Sequence, residues 1–190
     1  MIFNGEMVRA ILDGGKTQTR RPVKVPHIDR DAMCELSGNE LAGELSAGNY
    51  RNSPHGKPGD RIWVRETWAR YNIDQDSHDM AYRATPPADW PEEGRWRPSI
   101  HMPRWASRLM LEITGVRVER LQAITLGDIC KEIGCGLYDF RPATYGFQVW
   151  EDLWKSIYGE ENWQANPWVW VIEFKVVPNV PANSTGSDLR

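Results

Sequence analysis

The feature that most constrains the fold is a run of ten residues, 168–177, in which apolar side chains follow one another almost without interruption. Pro167 stands immediately before this run. A strand that is apolar on both faces has to be covered on both faces, so it belongs in the centre of a sheet. The run therefore predicts a central strand near the end of the chain.

Two other segments have patterns that are typical of strands. Residues 61–68 follow a turn signal, and alternation places Ile62, Val64, Glu66 and Trp68 on one face. Residues 107–118 are predicted to form a long strand with a bulge at Gly115. Amphipathic patterns and capping residues predict short helices at residues 4–13, after Thr125 and at residues 147–158.

A dense set of hydrogen-bond donors lies at residues 14–21. Gly14 and Gly15 can end the first helix, and the residues after them read as an extended segment. In that segment Thr17, Thr19 and Arg21 share one face, and Gln18 and Arg20 share the other. With Lys16, these donors suit phosphates or polarised carbonyls. The alternative is a helix end followed by a solvated basic strand.

Composition restricts the class of protein. Of the 190 residues, 41% are hydrophobic and 26% are charged, which is typical of a soluble globular domain. The net charge of −3 means that any phosphate or nucleic-acid site must be a local basic patch. Three cysteines without CxxC spacing, and no signal-peptide or membrane-spanning pattern, indicate a reduced, cytoplasmic protein away from membranes. We expect no metal and no cofactor, because the cysteine and histidine spacings match no standard zinc pattern.

The predicted fold class is α+β: a small mixed β-barrel with peripheral short helices. We expect a single domain over residues 1–177, with two long polar insertions at about 24–56 and 70–103. Residues 178–190 are rich in Pro, Asn, Ser and Gly and are predicted to be a disordered tail.

Four segments together resemble the ASCH domain family of the PUA-like β-barrel superfamily. They are residues 11–20, the Gly59-Asp60 turn with the strand after it, the stretch 121–132 that leads into a short helix, and residues 170–174. The sequence is also similar to prophage-borne members of that family. The resemblance spans nearly the whole chain, and it implies a PUA-like barrel.

The resemblance also implies an activity. Some small bacterial ASCH proteins are amidohydrolases that act on N4-acetylcytidine with a catalytic lysine, threonine and glutamate. Their motif positions fall on Lys16, Thr19 and Glu132 of this chain. The leading expectation is therefore a metal-independent amidohydrolase for N4-acylated cytosine nucleosides. The alternatives are a binding protein for RNA or modified nucleobases, and a ribonuclease, each using the same basic pocket.

We expect the pocket to be lined by residues 16–21, the strand at 61–68 and the helix that bears Glu132. The candidate substrate-binding residues are Arg20, Arg21, Trp63, Arg65, Glu66 and Trp68. The tryptophans could stack on a pyrimidine, although a tryptophan in a strand more often belongs to the core. Glu66 is predicted to point inward, either into the pocket or onto Arg20, Arg21 or another buried cation.

Overall fold

The computed structural model describes residues 1–70, 79–136 and 139–179, which form a mixed α+β structure. The strands are β1 (Gln18–Pro22), β2 (Arg61–Trp63), β3 (Trp68–Arg70), β4 (Met80–Tyr82), β5 (Met110–Arg120) and β6 (Trp168–Val177). The α-helices are α1 (Gly5–Leu12), α2 (Gly38–Ser46), α3 (Leu126–Ile133), α4 (Ala143–Tyr158) and α5 (Glu160–Gln164).

The main sheet is antiparallel and has the strand order β1-β6-β5-β2. It forms a curled half-barrel, so the described residues agree with the predicted small mixed barrel at this coarser level. Strands β1 and β2 are its two edges. A separate two-stranded sheet pairs β3 with β4.

Strand β6 lies between β1 and β5, as its continuous apolar run predicts. On one face, Val169 and Val171 pack in a cluster with Trp150 and Trp154 of α4. On the other face, Trp170 and Ile172 pack in a cluster with two leucines of α2. Both faces are therefore covered, which confirms the prediction of a central strand. The predicted bulge in β5 is confirmed as well, because its pairing with β6 shifts between Ile113 and Gly115.

The prediction of one strand over residues 61–68 is wrong. Strand β2 ends at Trp63 and pairs with β5, whereas β3 begins at Trp68 and pairs with β4. Between them, Arg65 N donates to Met1 O at 2.7 Å and Phe3 N donates to Arg65 O at 3.2 Å. The chain thus leaves the main sheet because these backbone groups pair with residues 1–3.

The first predicted insertion, residues 24–56, is only partly a loop, because it contains α2. Ser37 caps this helix in a capping box with Glu40, and Leu41 and Leu45 pack in a cluster with side chains of β5 and β6. The second insertion contains β4 and the 3-10 turn Ser99–His101, while its residues 71–78 lie outside the described ranges. Most of the predicted tail, residues 180–190, also lies outside them. Among the residues described, no helix is long and apolar enough to cross a membrane.

Candidate functional site

A contact between two glycines brings the start of β1 to the end of α3. Gly134, with a φ of +89°, ends α3 in the left-handed conformation. A Cβ atom on Gly15 would lie 2.7 Å from Gly134 O, so a side chain there would separate the two segments. Lys16 N donates to Ala10 O at 2.9 Å, and Thr17 N donates to Lys131 O at 3.0 Å. Lys16 is therefore fixed between α1, β1 and α3.

Lys16 and Glu132 satisfy the free backbone edge of β1. Lys16 Nζ donates to Gln18 O at 2.8 Å and to Glu132 O, and it lies 3.3 Å from Glu132 Oε1. Glu132 Oε1 also accepts from Arg20 N at 3.0 Å. Lys16 is 1% exposed and Glu132 is 4% exposed. The pair replaces the hydrogen bonds that a further strand would supply to this edge.

The Arg20 side chain is buried and contacts three carboxylates. Its Nη2 lies 2.6 Å from Glu119 Oε1 and 3.7 Å from Asp128 Oδ2, and its Nη1 lies 3.5 Å from Glu132 Oε2. Its guanidinium carbon lies 5.8 Å from the centre of the Trp150 ring. The segment is thus buried, and the alternative of a solvated basic strand is wrong for it.

The environment of Lys16 lowers its pKa. Burial lowers the pKa of Lys16, and the charges of Arg21 and Arg20 lower it further. Glu132 acts in the opposite direction through its charge and hydrogen bond, but burial is the larger effect. A lysine with a lowered pKa loses its proton more readily than an exposed lysine, and the deprotonated amine is the form that acts as a general base.

Thr19 is fully buried, and its Oγ1 has no hydrogen-bond partner among the described residues. It pairs with Ile172 of β6, and it lies on the same face of β1 as Arg21. The Thr19 hydroxyl is therefore not bonded to Lys16 in this structure. A buried hydroxyl without a partner costs about 1–3 kcal/mol of stability.

Two cavities that are lined by described residues adjoin β1. The first, which we name the sheet cleft, has a volume of about 630 Å³ and is lined by Met1, Arg21, Pro22, Lys24, His27, Pro54, His55, Ile62 and Trp170. The second, which we name the edge slot, is narrow and is lined by Met7, Arg20, Arg21, Glu132, Trp150, Leu153, Trp154, Ile157 and Tyr158. Arg21 lines both cavities, whereas Glu132 lines the edge slot and not the sheet cleft.

The sheet cleft has an aromatic wall. The rings of His27 and His55 lie 5.7 and 5.6 Å from the Trp170 ring, each in an edge-to-face arrangement. Burial, with smaller contributions from the charges of Arg21 and the N-terminal amine, lowers the pKa of His55 to about 4. His55 is therefore neutral near pH 7.

The structure does not bring Trp63, Arg65, Glu66 or Trp68 to either cavity. Glu66 receives two hydrogen bonds of 2.9 Å from Arg108, so its partner is a different cation from Arg20 or Arg21. Trp68 is buried with Met102 and Ala106 beside the small sheet. The guanidinium of Arg65 lies 4.4 Å from the Trp63 ring.

Residues 61–68 are predicted to line the pocket, but of these residues only Ile62 lines the sheet cleft. The break between β2 and β3 explains why, since the residues after Trp63 follow the N-terminal segment instead of the main sheet.

Sequence reasoning missed most of the sheet cleft, including Lys24, His27, His55 and Trp170. The histidines lie in an irregular stretch without periodicity, so no local signal places them. Trp170 carried a usable signal, because it pairs with Arg21 and a central strand must present alternate residues to each face. Within the described residues, no group of three or more His, Cys, Asp or Glu side chains is placed to hold a metal ion.

Comparison with known proteins adds little to this geometry. No family model matches the sequence, and no curated protein matches it. Among solved structures, the chain is similar to protein EF3133 from Enterococcus faecalis V583, which is described as DUF984. The two share 10% identity with a TM-score of 0.42, over 90% of this chain and 70% of the other. Similarity at this level is too low to establish a family, so the ASCH resemblance stays a prediction from the sequence.

Proposed function

We propose that this protein is an amidohydrolase that removes the acyl group from N4-acylated cytosine nucleosides such as N4-acetylcytidine. The observation that carries the proposal is a buried lysine whose pKa is lowered, held 3.3 Å from a buried carboxylate. A lysine in this setting is a candidate base with a physical rationale. The resemblance of Lys16, Thr19 and Glu132 to the catalytic residues of ASCH amidohydrolases supports the same assignment.

In the first half of the proposed reaction, Thr19 Oγ1 attacks the acyl carbon while neutral Lys16 takes the hydroxyl proton. The bond between the acyl carbon and N4 then breaks, and Lys16 returns the proton to the leaving amine. The products of this half-reaction are cytidine and an ester on Thr19.

In the second half, water attacks the Thr19 ester while Lys16 again takes a proton. The ester bond breaks, and the proton returns to Thr19 Oγ1. The acyl group leaves as a carboxylic acid, and the enzyme is restored. Glu132 keeps Lys16 in place throughout, as the third member of a catalytic triad does.

The proposal requires that substrate binding uncovers Thr19 and brings its hydroxyl to Lys16. Catalytic hydrogen bonds are often long in free enzymes and tighten in the substrate complex. The Phe3 ring lies 5.9 Å from Lys16 Nζ and 5.5 Å from the Arg21 guanidinium carbon. Arg21 Nη2 also donates to Ile2 O at 2.9 Å. Residues 1–3 are therefore the segment whose displacement would open the site.

A non-catalytic binder of RNA or modified nucleobases is the second candidate. One observation favours it: Lys16 and Glu132 have a structural role at the edge of β1, which requires no reaction. A binder would use the basic sheet cleft alone. Its affinity for nucleic acid would fall steeply with salt, whereas turnover of a neutral nucleoside would not.

The test is incubation of the protein with N4-acetylcytidine, with chromatographic detection of cytidine. Thr19→Val should abolish release of cytidine because it removes the nucleophile and keeps the shape. Thr17→Val, the same change two residues earlier on the same face, is the matched control and should stay active. Lys16→Arg should be inactive, since an arginine cannot lose its proton.

Turnover by Thr19→Val at the wild-type rate would refute the assignment of Thr19 as the nucleophile. If the wild type releases no cytidine from any N4-acylated cytidine, the amidohydrolase proposal falls. Cleavage of an RNA strand in a parallel incubation would then favour the ribonuclease alternative.

A further inference from the structure

The charge of the sheet cleft indicates what it binds. Its lining includes Arg21, Lys24, His27 and His55, and it includes no aspartate or glutamate. Asp29 and Glu44 lie in the same part of the chain, but both accept from Asn52 Nδ2 and neither lines the cleft. The cleft is therefore a basic cavity inside a protein whose net charge is −3.

Arg21 differs from the neighbouring arginines in its partners. Arg20 and Arg117 each contact two or more carboxylates. The described hydrogen bonds of Arg21 go only to backbone oxygens, at 2.9 Å to Ile2 and 3.5 Å to Arg20. Among the described residues no carboxylate forms an ion pair with it. A half-buried guanidinium without a carboxylate is a ready partner for a bound anion.

The positive field of Arg21 acts on the groups around the cleft. Its charge contributes to the lowered pKa of His55 and of Lys16, after the larger effect of burial in each case. An anion beside Arg21 would offset this field. The electrostatics and the lining of the sheet cleft thus both favour an anionic ligand.

The side chains of Thr19, Arg21 and Lys24 become progressively more exposed along the chain. Thr19 is fully buried, Arg21 is half-buried and Lys24 is exposed. Thr19 and Arg21 are about 7 Å apart along the strand. A ligand with its acylated base toward Thr19 would have its far end near Arg21 and Lys24.

We propose that the sheet cleft binds the 5′-phosphate of a cytidine mononucleotide through Arg21 and Lys24, so that the preferred substrate is a nucleotide and not the free nucleoside. The volume of about 630 Å³ is in the range of small-molecule sites. Met1, Ile62 and Trp170 supply apolar lining for the base and sugar. The assignment of substrate rests on the proposed amidohydrolase function, whereas the assignment of a phosphate site can be tested without turnover.

The first experiment measures binding by calorimetry with cytidine monophosphate, cytidine and inorganic phosphate. Cytidine monophosphate should bind about 10- to 100-fold more tightly than cytidine, which is the effect of charge-assisted hydrogen bonds to one phosphate. Arg21→Gln and Lys24→Gln should each remove most of that difference. Lys57→Gln, an exposed lysine outside the cleft lining, is the matched control and should keep it.

Nuclear magnetic resonance supplies an independent measurement. Binding of cytidine monophosphate should raise the pKa of His55 from about 4, because the phosphate offsets the charge of Arg21. The ring signals of His101, which is exposed and outside the cleft lining, serve as the internal control.

Three outcomes are decisive. Equal affinity for cytidine monophosphate and cytidine would overturn the phosphate site, whether or not the protein turns over any substrate. A ribo-oligonucleotide without terminal phosphates that binds more tightly than the mononucleotide would overturn the mononucleotide assignment in favour of RNA. Tight binding of cytidine monophosphate, with no turnover of its N4-acetyl form or of N4-acetylcytidine, would support the phosphate site and refute the amidohydrolase.

Discussion

Replacing Glu132 with alanine would remove the acceptor that closes the edge of β1. In the wild type, Glu132 Oε1 receives hydrogen bonds from Lys16 Nζ and Arg20 N, at 3.3 and 3.0 Å. Breaking a buried ion pair by removing one partner costs about 3–5 kcal/mol. In the variant, Lys16 Nζ still donates to the backbone carbonyl oxygens of Gln18 and residue 132. We therefore expect the free energy of unfolding to fall by about 3 kcal/mol, at the low end of this range.

For a chain of 190 residues, 1 kcal/mol corresponds to about 2–4 °C in Tm, so Tm should fall by about 6–12 °C. Urea unfolding, followed by tryptophan fluorescence and circular dichroism, gives the free energy directly. Glu112→Ala is the matched control, because Glu112 pairs with the exposed Lys175 at 2.7 Å. Its loss of stability should be much smaller.

A double-mutant cycle with Lys16→Met isolates the pair. Each single variant leaves a buried group without its partner, whereas the double variant removes both, so its loss should be smaller than the sum by about 0.5–3 kcal/mol. Losses that add, or a fall in Tm below about 2 °C for Glu132→Ala, would refute the view that this pair holds the strand edge.

Three further predictions concern Thr19, His55 and Gly134. Thr19→Val should raise the free energy of unfolding by about 1 kcal/mol in urea, because it removes a buried hydroxyl that has no partner. As pH falls from 6.5 to 4, the free energy of unfolding of the wild type should fall by up to about 3 kcal/mol. The reason is that the unfolded chain binds a proton at His55, whereas the folded state, with its His55 pKa of about 4, does not. The His55→Gln variant should lose less stability over the same pH range. Gly134→Ala should lower Tm more than Gly48→Ala, because both have positive φ but only at Gly134 would the Cβ atom crowd Ala10, at 2.8 Å.

Elements with local signals could be predicted from the sequence. Asn4 caps α1, and Thr125 caps α3 through Asp128 N. The apolar run of β6 and the bulge at Gly115 are equally local. The capping box of α2 at Ser37 was also visible, but the polar, glycine-containing stretch around it concealed the helix.

Elements that depend on distant partners could not be predicted. Glu66 is neutralised by Arg108, which lies 42 residues further along the chain. The strand at 61–68 is divided because Arg65 pairs with residues 1–3, a contact that no periodicity reports. Lys16 and Glu132 are 116 residues apart, and only the family resemblance linked them.

The alternation of β1 carried more information than the prediction used. It places Arg20 and Arg21 on opposite faces, so only Arg21 lines the sheet cleft, although both border the edge slot. Arg20 turns to Glu119, Asp128 and Glu132, which stabilise the fold. Arg21 turns to the sheet cleft and borders the edge slot.

The polar residues around β1 therefore fall into two groups, according to whether their side chains have structural partners. Lys16, Arg20 and Glu132 have partners that would justify their burial without any reaction. Thr19 has a buried hydroxyl with no partner, and Arg21 has a half-buried charge with no carboxylate among the described residues. Groups that cost stability and receive no structural compensation are the better candidates for function. Variants of Thr19 and Arg21 consequently discriminate between catalysis and architecture, which variants of Lys16 and Glu132 alone cannot do.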